Sequence, residues 1–184
     1  MGPEVSLRAL FLSFRMLQRL FQGGKPVLVL LLLVMLPACH SKVTPGMDEA
    51  EGRAVQDSVR QWAARMAQDV TNGGPKVWLQ YFARSPQFFM ASEGKLLFPS
   101  NDSADAFVRT LETVISSIDL RWGSIRVDPL ASNLALMAAP FHEAITDTAG
   151  HVMPADGFFT AIAERTPEGW RLRNAHWSLV GRAP

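Results

Sequence analysis

The chain has 184 residues, which is enough for one ordinary domain with some length to spare, and it contains a single cysteine. Its formal net charge is +1. The charge becomes −2 once residues 1–38 are set aside, because they hold four basic residues and one acidic residue. A faintly acidic domain lacks the basic surface that nucleic acid requires, so we expect no nucleic-acid partner. A lone cysteine also excludes an internal disulfide bond.

The N-terminal segment has the layout of a secretory signal peptide. The run from Val27 to Leu36 is entirely apolar, but it is too short to span a bilayer core, which takes about 20 helical residues. Basic residues precede this run and small residues follow it, as in secretory signals. Residues 1–24 exceed what such a signal needs, and we interpret the part before Met16 as an over-called reading frame.

The signal ends in Leu36-Pro37-Ala38-Cys39, which resembles a bacterial lipobox. The resemblance implies that a diacylglycerol thioether forms on Cys39, that the chain is cleaved before it, and that the new N-terminus is acylated. Several acyl chains anchor stably, since each buried methylene contributes about 0.8 kcal/mol. The alternative is an ordinary secretory signal in which the cysteine is incidental.

We therefore predict a lipid-anchored protein of the cell envelope, whose partner is membrane lipid reached through Cys39. Residues 39–47 are a polar tether that contains Pro45-Gly46, and residues 48–181 form the folded domain. In a Gram-negative cell, His40 stands where inner-membrane lipoproteins carry an aspartate. This difference favours the outer membrane, with the domain facing the periplasm.

Three helices are predicted in the first part of the domain. Asp48 with Glu51 is a capping-box pattern, and a helix is predicted from there to Val70. Pro75 opens a short second helix, and Asp102 or Ser103 caps the third. Their apolar faces are Val55, Val59, Trp62, Met66 and Val70; Val77, Trp78, Tyr81 and Phe82; and Phe107, Leu111, Val114, Ile115 and Ile118.

The remaining segments are predicted to be strands. Phe88 to Ala91 and Leu96 to Phe98 form a small hairpin between the second and third helices. Leu120 to Val127 alternates, and Leu134 to Thr146 is a longer run in which Pro140 indicates a bulge or an edge position. Helices followed by strands with short turns are typical of an α+β fold. We expect three N-terminal helices to cover one face of a curved antiparallel sheet.

The last predicted hairpin carries most of the functional interpretation. Pro167-Glu168-Gly169 fits a three-residue loop that ends in a left-handed glycine, which would place Thr166 opposite Trp170. The pairs that follow are Ile162 with Asn174, Thr160 with His176, and Phe158 with Ser178. One face carries Phe158, Thr160, Ile162, Leu172, Asn174, His176 and Ser178, and the other carries Phe159, Ala161, Ala163, Arg171, Arg173, Ala175 and Trp177.

Three motifs of this hairpin resemble the nuclear transport factor 2-like, or SnoaL-like, superfamily. They are Gly157-Phe158-Phe159-Thr160, Gly169-Trp170-Arg171-Leu172 and His176-Trp177-Ser178. The order of the upstream elements also fits, and the resemblance spans about Asp48 to Leu179. It implies a cone-shaped α+β roll with a pocket between the first helix and the concave sheet, often in homodimers that pair their sheets. Members include isomerases, dehydratases, cyclases and binding or assembly domains, so the fold does not choose the function.

We expect the face with Thr160 and His176 to point into the cone, where a small apolar ligand would bind. The aromatic residues among the predicted lining are equally well explained as core. Phe159 and Trp177 would then lie on the outer face, where two large rings indicate a homodimer interface through the sheet. The predicted pocket residues are Trp62, Trp78, Tyr81, Phe82, Trp122, Phe158, Thr160, Asn174, His176 and Ser178.

His176 is the first candidate for catalysis because imidazole titrates near neutrality, and His142 is the second. The alternative for His176 is a structural histidine bonded to Thr160 or to a helix carbonyl. The candidate acids are Asp119, Glu143 and Asp156, and none matches the isomerase pattern.

The sequence therefore favours a non-enzymatic ligand-binding or assembly domain. The alternative is an isomerase, dehydratase or cyclase that pairs His176 with one of the three acids. Two histidines without a carboxylate at ligand spacing predict no metal site, and no cofactor-binding motif is present.

Overall fold

The computed structural model describes residues 47–181. The predicted signal peptide, Cys39 and all of the tether except Met47 lie outside the described residues. No helix within 47–181 is long and apolar enough to cross a membrane. The elements are α1 (Glu49–Gly73), a 3-10 helix (Pro75–Gln80), β1 (Phe89–Ser92), β2 (Lys95–Phe98), α2 (Asn101–Val114), β3 (Ile115–Trp122), β4 (Arg126–Ala131), β5 (Leu134–Asp147), β6 (Val152–Thr166) and β7 (Gly169–Leu179).

Helix α1 confirms the first predicted helix and its apolar face. The backbone N–H of Glu51 donates to Asp48 Oδ1 at 2.7 Å, so Asp48 is the N-cap. Gly74 ends the helix with a φ of 71°, a left-handed value that glycine adopts without a steric penalty. All five residues of the predicted apolar face are buried. This burial, more than helix propensity, stabilises α1.

Three hydrogen bonds attach α1 to the inner face of the sheet. Each joins a group of the sheet to a middle or C-terminal turn of the helix, so they fix the helix along its length. They run from Trp170 Nε1 to Ser58 Oγ at 3.0 Å, from Trp122 Nε1 to the Ala63 carbonyl at 2.9 Å, and from the Leu120 N–H to Thr71 Oγ1 at 3.0 Å.

The seven strands of the described region form one sheet in the order β2-β1-β7-β6-β5-β3, with β4 also pairing with β5. Together with the helices this is the predicted α+β fold with a curved sheet. The sheet is mixed, because β1 runs parallel to β7 while the other pairs are antiparallel. A fully antiparallel sheet was expected, and the pair of β1 with β7 is the exception.

Pro140 lies where β5 changes partner. Residues 134–138 of β5 pair with β4, and residues 141–147 pair with β3. The carbonyl of Pro140 accepts a hydrogen bond from the Gly123 N–H at 2.8 Å, on the side of β5 that faces the gap between β3 and β4. The missing N–H of proline is therefore harmless here, since a strand edge needs no donor.

Three predicted boundaries are wrong. The cap of α2 is Ser100, whose Oγ accepts from the Ser103 N–H, because Ser100 has the extended backbone that an N-cap requires. The helix stops at Val114, and the β-branched residues that follow enter β3 instead of extending the helix face. The predicted strand from Leu120 to Val127 is divided between β3 and β4 at Gly123.

Strands β6 and β7 meet in a shorter turn than predicted. Thr166 lies opposite Gly169, so the loop has two residues and Thr166 does not face Trp170. Further along, a bulge at Arg173 adds one residue to β7. The two differences cancel, and the predicted pairs Ile162–Asn174, Thr160–His176 and Phe158–Ser178 are confirmed.

The bulge does change the face on which Leu172 lies. Leu172 pairs with Ala163 and is buried, whereas Asn174, after the bulge, pairs with Ile162 and is partly exposed. The predicted face that joined Leu172 to His176 is therefore wrong. One extra residue shifts the alternation of side chains by one position.

Gly157 occupies a position in β6 where a side chain does not fit. A Cβ atom there would collide with the carbonyl oxygen of Ser178 and the ring of Phe141. We expect Gly157→Ala to lower the free energy of unfolding by about 1–3 kcal/mol, the usual cost of overpacking, as measured by urea denaturation.

Gly52→Ala is the matched control for this prediction. Nothing lies within 4 Å of its Cβ position in α1, so the same change should raise the free energy of unfolding by up to about 1 kcal/mol. Similar effects of the two substitutions would contradict the packing described around Gly157.

Candidate functional site

A cavity of about 420 Å³ lies between α2, the 3-10 helix and the concave face of the sheet. This volume lies within the range of small-molecule sites. The pocket was expected between the first helix and the sheet, but no residue of α1 lines the cavity. The side chains of α1 fill their own part of the concave face and form the core there.

The walls of the cavity are almost entirely apolar. Of the 17 residues that line it, sixteen are apolar or aromatic and one, Glu143, is ionisable. The lining residues are Trp78, Phe82, Met90, Phe107, Val108, Leu111, Ile115, Ile118, Leu120, Trp122, Phe141, Glu143, Ile145, Met153, Phe159, Leu172 and Trp177. Phe107 and Met153 are each about half exposed, at 46% and 47%, and lie at the edge of the cavity.

Strand alternation in β3 and β5 supplies part of the lining that the sequence analysis missed. Ile118, Leu120 and Trp122 occupy alternate positions of β3, and Phe141, Glu143 and Ile145 occupy alternate positions of β5. Because alternate residues of a strand share a face, each trio was recognisable as a set. Nothing in the local pattern shows that both sets face the same space.

The aromatic residues predicted to line the pocket divide into two groups. Trp78, Phe82 and Trp122 line the cavity. Trp62 and Tyr81 do not, because they pack against each other in the core with ring centroids 6.1 Å apart.

Tyr81 has a partner within the core. Its hydroxyl donates to Asp69 Oδ2 at 2.5 Å. Burial, and then the hydrogen bond to the Asp69 carboxylate, raise the pKa of the Tyr81 hydroxyl well above its usual range. Tyr81 therefore stabilises the contact between α1 and the segment after the 3-10 helix and does not serve the cavity.

The row of residues expected to point into the cone lies on the outer face of the sheet. Phe158 is 46% exposed, and His176 and Ser178 are exposed as well. Thr160 and Asn174 are partly exposed beside them, and none of the five lines the cavity. The prediction was wrong because this row holds the polar groups of the hairpin, and burying them without partners is costly.

Phe159 and Trp177 point inward, so their predicted role at an outer interface is wrong. Both line the cavity, and Phe159 is only 7% exposed. The ring centroids of Phe159 and Trp122 are 5.3 Å apart, and those of Trp177 and Phe98 are 6.3 Å apart. These rings belong to the wall of the cavity.

Three other predicted residues lie outside the cavity. His142 is on the outer face, with Nδ1 2.9 Å from Asp156 Oδ1. Asp119 accepts hydrogen bonds from Arg121 two positions along β3. A histidine does meet a carboxylate in this protein, therefore, but on the exposed side of the sheet and away from any enclosed space.

Glu143 is the one predicted acid that faces the cavity. Leu120 and Ala155 flank it on the neighbouring strands. Within residues 47–181 its carboxyl group has no hydrogen-bond or ion-pair partner. Burial alone raises the pKa of Glu143 above its ordinary value of 4.5, because a charged carboxylate loses its hydration among apolar side chains.

No group of three or more potential metal ligands occurs in the part of the chain that the structure describes. Comparison of sequences finds no protein-family model and no curated protein that matches this chain.

Comparison of structures finds many proteins with the same fold. A nuclear transport factor 2-like superfamily protein from Salmonella enterica serovar Typhimurium LT2 covers 73% of this chain and 98% of its own, with a TM-score of 0.54 and 16% identity. A ketosteroid isomerase-like protein from Erwinia carotovora covers 70% and 97%, with a TM-score of 0.52 and 14% identity. Hexachlorocyclohexane dehydrochlorinase LinA-type3 from Novosphingobium barchaimii covers 72% and 91%, with a TM-score of 0.56 and 8% identity.

These comparisons show that the described domain has the nuclear transport factor 2-like fold, as the hairpin motifs predicted. At such low identities they show the fold alone. The neighbours carry names of isomerases, dehydrochlorinases and dehydratases, and the chemistry of this chain has to be argued from its own cavity.

Replacing Glu143 should change how stability depends on pH. The folded state holds the Glu143 proton more tightly than the unfolded state, so the free energy of unfolding falls as pH rises from 4.5 through the raised pKa. We expect Glu143→Gln to be more stable than the parent near pH 8 and to lose this advantage at about pH 3.5. Urea denaturation at the two pH values measures the difference. If Glu143→Gln were more stable than the parent by the same free energy at both pH values, Glu143 would not be desolvated.

Proposed function

We propose that the protein is a lipid-anchored, non-enzymatic binding protein of the cell envelope, whose domain holds one small apolar molecule in the cavity beneath α2. The observation that carries the proposal is the cavity itself, with about 420 Å³ lined by sixteen apolar residues and partly open to solvent. Apolar walls that face water are unfavourable. An apolar occupant would remove these walls from water and stabilise the domain.

The surroundings of the cavity support binding over core packing. Phe107 and Met153 expose about half of their surface and still line the cavity, so an apolar molecule would pass apolar side chains on entry. Burial of apolar ligand surface contributes roughly 25 cal/mol per Å² to the free energy of binding. In a site with one polar group, this burial is the main source of affinity.

The anchor is proposed from the lipobox alone. If Cys39 carries the lipid, eight residues separate it from the N-cap at Asp48. Even fully extended they span at most about 29 Å, so the domain would stay near the bilayer surface. In a Gram-negative cell this surface would be the periplasmic side of the outer membrane. A tethered domain of this kind meets apolar molecules at the surface where they concentrate.

The enzymatic alternative retains one favourable observation. Glu143 is a carboxyl group with a raised pKa inside an apolar cavity, and such groups act as general acids or bases in enzymes. An isomerase, dehydratase or cyclase would therefore use Glu143 and not His176, which lies on the other face of the sheet. The cavity offers Glu143 no second titratable group, and for this reason we favour binding.

A homodimer through the sheet also stays a proposal, with different residues from those first expected. Phe158 on the outer face is 46% exposed and replaces Phe159 and Trp177 as the candidate contact. His142 and Asp156 lie on the same face and would be covered with it.

Filling the cavity should weaken the binding of an apolar probe. We expect the neutral fluorophore phenylnaphthylamine to bind one molecule per chain, and Leu111→Trp to weaken this binding at least about tenfold, since the indole would occupy the cavity. Fluorescence titration measures the affinity.

Val114→Trp is the matched control for this experiment. Val114 lies on the same helix, is 47% exposed and does not line the cavity, so the variant should bind the probe as the parent does. Equal binding by Leu111→Trp and the parent would show that the probe lies elsewhere.

Replacing Cys39 tests the anchor separately. We expect Cys39→Ser to move the protein from the membrane fraction to the soluble fraction of cells, because the thioether cannot form. Ser41→Ala, two residues away, should remain in the membrane fraction. Immunoblotting of the two fractions measures where each protein lies. If the Cys39→Ser protein stays in the membrane fraction, lipidation is rejected.

A further inference from the structure

We propose that the cavity selects a hydrophobic organic cation, an apolar molecule with one protonated amine, and that the carboxylate of Glu143 is its counter-ion. The inference rests on the proposed binding function and names the chemical class of its ligand. Two features of the cavity carry it, namely the sign of its only ionisable group and the number of aromatic rings among its lining residues.

The cavity presents acid and no base. No lysine, arginine or histidine is among its 17 lining residues, and Glu143 is the only residue there that can carry a charge. A carboxylate-bearing ligand such as a fatty acid would place a second negative charge in the same apolar space without a cation to balance it. The cavity therefore disfavours anions.

Glu143 is available to a ligand. Within the described residues its carboxyl group makes no hydrogen bond and no ion pair, and its neighbours along β5, Phe141 and Ile145, are apolar. The cost of burying it is the reason for its raised pKa. An ammonium group beside it would reverse that effect, because an opposite charge within a few ångströms stabilises the carboxylate.

Aromatic rings surround the same space. Three tryptophans and four phenylalanines line the cavity. The nearest to Glu143 in the sheet are Phe141, two positions along β5, and Trp122, which pairs with Phe141. The faces of such rings attract cations, tryptophan most strongly, and the attraction grows when water is excluded. An ammonium group between Glu143 and Trp122 would therefore be stabilised by the carboxylate and by the indole ring.

A matched series of ligands tests the inference. Adamantanemethylamine, adamantanemethanol and adamantanecarboxylate share one apolar cage and differ in the charge of the attached group. Each is used to displace phenylnaphthylamine from the protein near neutral pH. We expect the amine to be effective at a concentration at least about tenfold below that of the alcohol, and the carboxylate to be the weakest.

Two variants with the same substitution assign the preference to Glu143. Glu143→Gln should make the amine and the alcohol equally effective while phenylnaphthylamine still binds. Glu112→Gln, an exposed position on α2 that does not line the cavity, should leave the tenfold preference intact. The preference should also persist when the salt concentration is raised to about 0.5 M, because a buried ion pair is weakly screened.

The possible outcomes separate this inference from the proposed function. Equal displacement by amine and alcohol, or an amine preference that survives in Glu143→Gln, would overturn the cation site and leave apolar binding intact. Failure of phenylnaphthylamine to bind, or binding that Leu111→Trp does not weaken, would overturn both.

Discussion

The structure depends on the burial of the apolar stripe of α1 against the sheet. A helix of 25 residues with five large apolar side chains on one face cannot be stable in water by itself. Small residues occupy many buried positions of the sheet, namely Ala135, Ala139, Ala161, Ala163 and Ala175. Larger inward residues, among them Phe141, Phe159 and Leu172, line the cavity under α2 and the 3-10 helix. The cavity forms there because these shorter elements do not fill the space above the sheet.

The position of the cavity over the inner face of the sheet explains its chemistry. Its walls come from inward positions of a sheet that elsewhere serve as core, so they are apolar by the ordinary rule for a buried face. Glu143 breaks that rule. Glu143 is partly buried, and loss of hydration makes its charged form unfavourable there, whereas Phe141 and Ile145 on either side are apolar. The proposed cation site and the enzymatic alternative both depend on this residue, whereas the proposed apolar binding depends on the cavity as a whole.

The final hairpin shows how far sequence reasoning reached. Its motifs identified the fold, and its cross-strand pairs were predicted correctly from Ile162–Asn174 onward. The polarity of His176 and Thr160 predicts a site on their face, but this face is the outer one. The bulge at Arg173 was not recognisable either, and it places Leu172, which lines the cavity, on the opposite face from Asn174 and His176, with which it was grouped. Glu143 was among the candidate acids, but nothing in its local sequence distinguished it from Asp119 and Asp156.

The sequence by itself determined the elements, because helix caps, turn residues and the spacing of apolar residues act over a few positions. Asp48, the stripe from Val55 to Val70 and the glycine-containing turns are all of this kind. It also supplies the lipobox, which remains a prediction. Only the tertiary structure decided which side of each strand is enclosed. Alternation shows that two residues share a face, but the buried face is set by where α1 and α2 pack. For that reason the cavity, and the position of Glu143 within it, emerged only from the folded domain.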